Sequence, residues 1–128
     1  MRRFRKDKGM EEAVVVRDPS PRTFTLYLKD LEVGQLTHTD NHWRFVYCDA
    51  FKAQSERYHA IVGFPDLNRV YQSETLWPFF LIRIPGLKQP AIKEILEKEQ
   101  IHPGDEVTLL KRFGLHSLAN PFLLKPQF

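Results

Sequence analysis

Thr23-Phe-Thr-Leu-Tyr-Leu-Lys29 sets Phe24, Leu26 and Leu28 at every second position. An extended chain sends alternate side chains to opposite faces, so this spacing predicts a half-buried strand. Val33-Gly-Gln-Leu-Thr-His38 reads as a second strand. Trp43-Arg-Phe-Val-Tyr-Cys48 reads as a third, with Trp43, Phe45 and Tyr47 on one face. The links Lys29-Asp-Leu-Glu32 and Thr39-Asp-Asn41 are short and polar. Three consecutive strands joined in this way predict an antiparallel meander. Gly34 marks a bulge or a close approach at the first hairpin.

Working outward, residues 49–58 are polar and have room for a helical turn, without a continuous apolar face. His59-Ala-Ile-Val62 is a short strand candidate, ended by Gly63 and Pro65, and a loop is expected from about 64 to 73. Ser73 or Thr75 would then cap a short helix whose first turn accepts Pro78. That helix would bury Leu76, Phe79, Phe80 and Ile82 and stop at Pro85-Gly86. Pro90 to Lys98 is the clearest helix, because Ile92, Ile95 and Leu96 form an i, i+3, i+4 stripe. Asp105 is expected to cap Glu106 to Phe113, with Gly114 at the helix end, and Asn120 to Leu124 to form a last strand before Pro126. The expected fold is α+β: a small antiparallel sheet with short helices packed on one side, over residues 22–128. Residues 1–21, closing on Asp18-Pro-Ser-Pro21, read as a flexible basic leader.

The chain of 128 residues is the size of one domain, and its 42% hydrophobic and 27% charged content suits a packed globule. The longest apolar run, Trp77 to Ile82, falls far short of the ~20 residues a membrane span needs. A single cysteine, Cys48, excludes an internal disulfide framework and fits a reducing compartment, so a cytoplasmic protein is expected. The basic pI is misleading. Residues 1–8 hold five basic side chains and one acidic one, more than the whole chain's net charge of +3, so the remainder is slightly acidic and carries no basic stripe.

Catalytic and metal-binding patterns are missing from the sequence. His38, His42, His59, His102 and His116 lack zinc-site spacing, and although His38 and His42 could meet across a turn, neither has a third ligand nearby. No glycine-rich phosphate loop and no nucleophile-elbow serine occurs. Cys48 reads as a small core residue. Neither cofactor nor metal is expected, and the chain does not read as an enzyme. What remains is Ser73 to Gly86, which crowds Trp77, Phe79, Phe80, Leu81, Ile82 and Ile84 into fewer residues than one helix face can hide. Tryptophan and arginine are favoured interface anchors, which makes Trp77 and Arg83 candidates for a partner surface. The alternative, that Trp77 simply completes the core at a helix start, stays open on composition.

The order of motifs resembles the amino-terminal subdomain of HipA-type serine/threonine kinases. Leu26-Tyr-Leu28 followed by Val33-Gly34-x-Leu36 is similar to that family's opening strands. Phe45-Val-Tyr47, Gly63-Phe-Pro-Asp-Leu67, Leu76-Trp-Pro-Phe-Phe80 with Arg83-Ile-Pro-Gly86, and Leu109-Leu110 before Gly114 follow in the same order, over about residues 23–125. Ile84-Pro85-Gly86 departs by lacking the acidic residue of the family's Pro-Glu-Gly ending. The chain stops where the family would continue into its catalytic lobes, so the resemblance carries no kinase activity across.

A free-standing copy of this subdomain resembles the small component of HipBST-type toxin–antitoxin modules. That implies an antitoxin-type protein neutralising a HipA-like kinase, with a helix-turn-helix DNA-binding protein as third partner. On this reading Trp77, stiffened by Pro78, enters or blocks the kinase cleft, and Arg83 pairs with a carboxylate of the partner. The runner-up is a nucleic-acid-associated module, using the basic arm of residues 2–8 with Trp43 and Tyr47 as stacking surfaces.

Overall fold

A computed structural model describes residues 22–128. The leader expected over residues 1–21, with its basic arm, lies outside them. Nine elements follow one another: β1 (Arg22–Leu28), β2 (Leu31–Thr39), β3 (His42–Tyr47), α1 (Asp49–Lys52), β4 (Tyr71–Ser73), α2 (Pro78–Leu81), α3 (Pro90–Glu99), α4 (Glu106–Phe113) and β5 (Phe122–Pro126). The strands form one antiparallel sheet in the order β4-β3-β2-β1-β5. The architecture is α+β, and the meander of β1 to β3 is present.

Its hairpins are tighter than the polar links suggest. The first turn is only Lys29 and Asp30, and β2 begins at Leu31. The second is Asp40-Asn41, both at positive φ (50° and 61°), the backbone that matches the right-handed twist of paired strands and that Asp and Asn tolerate. Leu26 pairs with Gly34 but Tyr27 with Glu32, so Val33 is an extra residue in β2. This bulge lets Val33 reach the core beside Leu36. Gly34 is required by close approach, since a Cβ there would lie 2.7 Å from both the Phe45 ring and the Val46 carbonyl.

One face of the sheet carries the core. Across it, Phe24, Leu36, Phe45 and Tyr71 are in register on successive strands, with Leu26, Tyr47 and Leu124 beside them. Phe51 of α1, Phe80 of α2, and Val107 and Leu110 of α4 insert into the same cluster. Asp105 caps α4 as expected, accepting from the Thr108 N–H at 3.1 Å.

Three expectations are corrected. His59–Val62 is not a strand, because Tyr71–Ser73 takes the place beside β3 instead. Those three residues had read as loop: an edge strand this short shows almost no alternation. The last strand runs from Phe122 to Pro126 rather than from Asn120 to Leu124. Pro126 is accommodated because β5 is at the sheet edge, where a missing N–H breaks no interior ladder.

Candidate functional site around Trp77

The segment before α2 does not cap it as expected. The Ser73 Oγ accepts from the Thr75 N–H at 3.1 Å, which closes a local turn upstream. The residue at the cap is Trp77, held extended (φ −66°, ψ 149°) as a residue before proline prefers, with Pro78 as the first helical residue. Its carbonyl accepts from the N–H groups of Phe80 and Leu81. Proline at this point sacrifices no helical hydrogen bond and locks the direction in which Trp77 leaves the chain.

A helix of one turn has little surface to distribute. Phe80 is fully buried, whereas Leu81 is 42% and Ile82 61% exposed. Ile82 had been expected in the core. It follows Phe80 by two residues, about 200° around a helix, which turns it to the opposite side. The N–H groups of Leu81 and Ile82 bond to the carbonyls of Trp77 and Pro78, so Trp77/Leu81 and Pro78/Ile82 stand as i, i+4 neighbours. Pro78, Leu81 and Ile82 are exposed, and with the partly buried Trp77 they make an apolar ridge at α2.

Trp77 is half-buried. Its ring meets Phe64 edge-on, with centroids 5.2 Å apart, and lies 6.5 Å from Phe80. Phe64 is itself fixed from the sheet: the Tyr47 hydroxyl donates to the Phe64 carbonyl at 2.7 Å and accepts from the Ile61 N–H at 3.0 Å. Burial pushes the Tyr47 phenol up to about 12, so it keeps its proton across the physiological range. The indole therefore packs largely against the core and keeps only a minor part of its surface accessible. That packing is what the core-completing reading of Trp77 expects.

Arg83 is placed inward. It is only 4% exposed. One terminal nitrogen donates to the carbonyls of Gly114 (2.9 Å) and Leu115 (3.3 Å). The other donates to Asn120 Oδ1 (3.0 Å) and the Phe122 carbonyl (2.9 Å), while Nε has no partner among the described residues. All four acceptors are uncharged, and burial pushes the guanidinium down to about 10, still cationic at neutral pH. The expectation of an outward-facing arginine is corrected. Its fork is occupied in tying the end of α2 to residues 114–122, a use that residue type alone did not signal.

Other chemistry finds little support. Among the described residues no group of three or more His, Cys, Asp or Glu side chains comes together as a metal site. The Cys48 thiol is pushed up to about 11 by burial and by Glu32, whose carboxylate lies 3.7 Å from Sγ. That disfavours the thiolate a nucleophile would need. Trp43 and Tyr47, the proposed stacking surfaces of the nucleic-acid reading, are 1% and 2% exposed and face the core. Neither can stack on a base. None of the helices among the described residues is long and apolar enough to cross a membrane.

The family model described as HipA N-terminal domain matches residues 24–118. The match includes Trp77, Pro78 and Arg83, and it concerns an amino-terminal domain and not a kinase catalytic domain. No curated protein matches the chain in sequence.

Proposed function

The chain belongs to the HipA N-terminal domain family, and from that membership we propose that it is an antitoxin-type protein that binds and neutralises a HipA-like serine/threonine kinase. In this reading it acts without catalysing a reaction, in the cytoplasm, in a tripartite module whose third member is a helix-turn-helix DNA-binding protein. The observation that carries the proposal is the Trp77 ridge. An indole braced on Phe64 and directed by Pro78 stands beside exposed Leu81 and Ile82. Apolar groups gathered in this way mark protein interfaces, and a pre-positioned tryptophan loses little entropy when it enters a cleft.

Trp77 and Pro78 are assigned to the partner contact, with Trp77 entering or obstructing the kinase cleft. Arg83 contributes from beneath, by holding the ridge in place. The test is kinase neutralisation by a Trp77→Ala variant shown by circular dichroism to be folded. Truncation at an anchoring tryptophan is expected to weaken neutralisation by about tenfold or more. A folded variant that neutralises as well as the natural protein would overturn the role of Trp77. Purification of the natural protein without any accompanying kinase would overturn the broader reading.

A further inference from the structure

Helix α3 stands apart from the rest of the fold. Its apolar stripe is Ile92, Ile95 and Leu96, of which only Leu96 is buried. None of the three belongs to the cluster that joins the sheet to α1, α2 and α4. Its neighbour is α4. The Nε and one terminal nitrogen of Arg112 donate to the two carboxylate oxygens of Glu99, at 2.8 and 3.1 Å. Leu96 stands three residues before Glu99, and Leu109 three before Arg112, so each leucine shares a helix face with one member of this pair. Leu109 is buried and likewise lies outside the main cluster, whereas Val107 and Leu110 of the same helix belong to it. Thus α4 gives Val107 and Leu110 to the sheet and its Leu109 side to α3.

The attachment is thin. Among the described residues, the two Glu99–Arg112 bonds are the hydrogen bonds by which α3 reaches another element. The side chains of Arg112 and Glu99 are 43% and 41% exposed, so water screens the pair and it adds little. The helix stops at Gln100 in left-handed backbone (φ 56°), a position where glycine is relaxed and glutamine is strained. A Pro-Gly pair, Pro85-Gly86 before α3 and Pro103-Gly104 after it, interrupts regular structure in each flanking loop.

We propose that α3 is a separately opening flap, which detaches from α4 and unravels while the sheet, α1, α2 and α4 stay folded, with Glu99–Arg112 as its latch. A helix of ten residues is marginal in water without a packing partner, so detachment and unravelling go together. The open form is a minor species in exchange with the closed one. It uncovers Leu96 and Leu109 and leaves the main cluster intact, because that cluster contains no side chain of α3.

Native-state hydrogen exchange of the full chain, followed by NMR at rising sub-denaturing urea, tests the flap. The amides of residues 94–99 should exchange about tenfold or more faster than the core amides of β1 and α4. Their rates should also rise only shallowly with urea, since a local opening exposes little surface. Glu99→Gln keeps the shape of the side chain and removes its charge, and should speed exchange in α3 about twofold or more. Protection in α3 equal to that in β1, with the same steep urea slope, would show that α3 opens only with the whole molecule and would overturn the proposal. Equal and early loss of protection in α3 and α4 would make the two helices one unit, and overturns it as well. Unchanged α3 exchange in Glu99→Gln would overturn the assignment of the latch.

Discussion

Tyr47 illustrates how much a single hydroxyl can organise. It bonds residues 17 and 14 positions along the chain, the Phe64 carbonyl and the Ile61 N–H, and so positions the ring on which Trp77 leans. Tyr47→Phe leaves a buried acceptor and a buried donor unpaired, and should cost about 1–3 kcal/mol in urea unfolding. It should also change the alkaline limb. The folded-state pKa of about 12 exceeds the ordinary phenol value of 10.0, so the unfolded chain loses this proton first as pH rises. Stability from this group is complete below the unfolded value and declines between the two. The decline should be shallower in Tyr47→Phe, and an identical slope would show that Tyr47 contributes none of it. Alternation in the sequence placed Tyr47 on the core face, but its partners were not legible, since they lie in a loop without periodicity. Arg83 shows the same limit. Its residue type suggested a partner-surface anchor, and only the placement of residues 114–122 showed its fork bonded within the fold.

Among the elements, β2 is where local pattern and packing agree most closely. Gly34 read as a bulge or a close contact, and it is both: the register shifts next to it and the Phe45 ring covers it. Gly34→Ala should destabilise the protein by about 1–3 kcal/mol in urea unfolding, because the Val46 carbonyl is backbone and cannot turn aside. An unchanged midpoint would mean that the strand shifts to accept the methyl group. The weaker elements were harder to read. β4 has three residues and α2 has four, too few to establish a period, so the tertiary neighbours decide them. For α2 that choice separates buried Phe80 from exposed Ile82, and thereby creates the candidate surface.

At the scale of the whole molecule, strands β1 to β5 share one buried cluster with α1, α2 and α4. Residues 22 to 126 of the sheet close on each other through β1, which pairs with both β2 and β5. A core shared between the two ends of the described chain should unfold as one unit. Urea transitions followed by far- and near-ultraviolet circular dichroism should therefore coincide. A separate early loss of the near-ultraviolet signal would show that the aromatic loop around Phe64 comes apart on its own.

The sequence by itself determined the class of fold, the meander, the core faces of β1 to β3, and the helices at Pro90 and Glu106. These depend on local rules, period two against period 3.6 and the chemistry of caps and turns, which nearby residues carry. Only the tertiary structure decided that Tyr71 begins the edge strand, that Arg83 faces inward, that Ile82 faces outward, and that Trp43 and Tyr47 are closed to a ligand. Each of these depends on which distant segment arrives opposite. Spacing along a chain encodes which side a residue faces within its own element, whereas burial is settled by the neighbour that covers it.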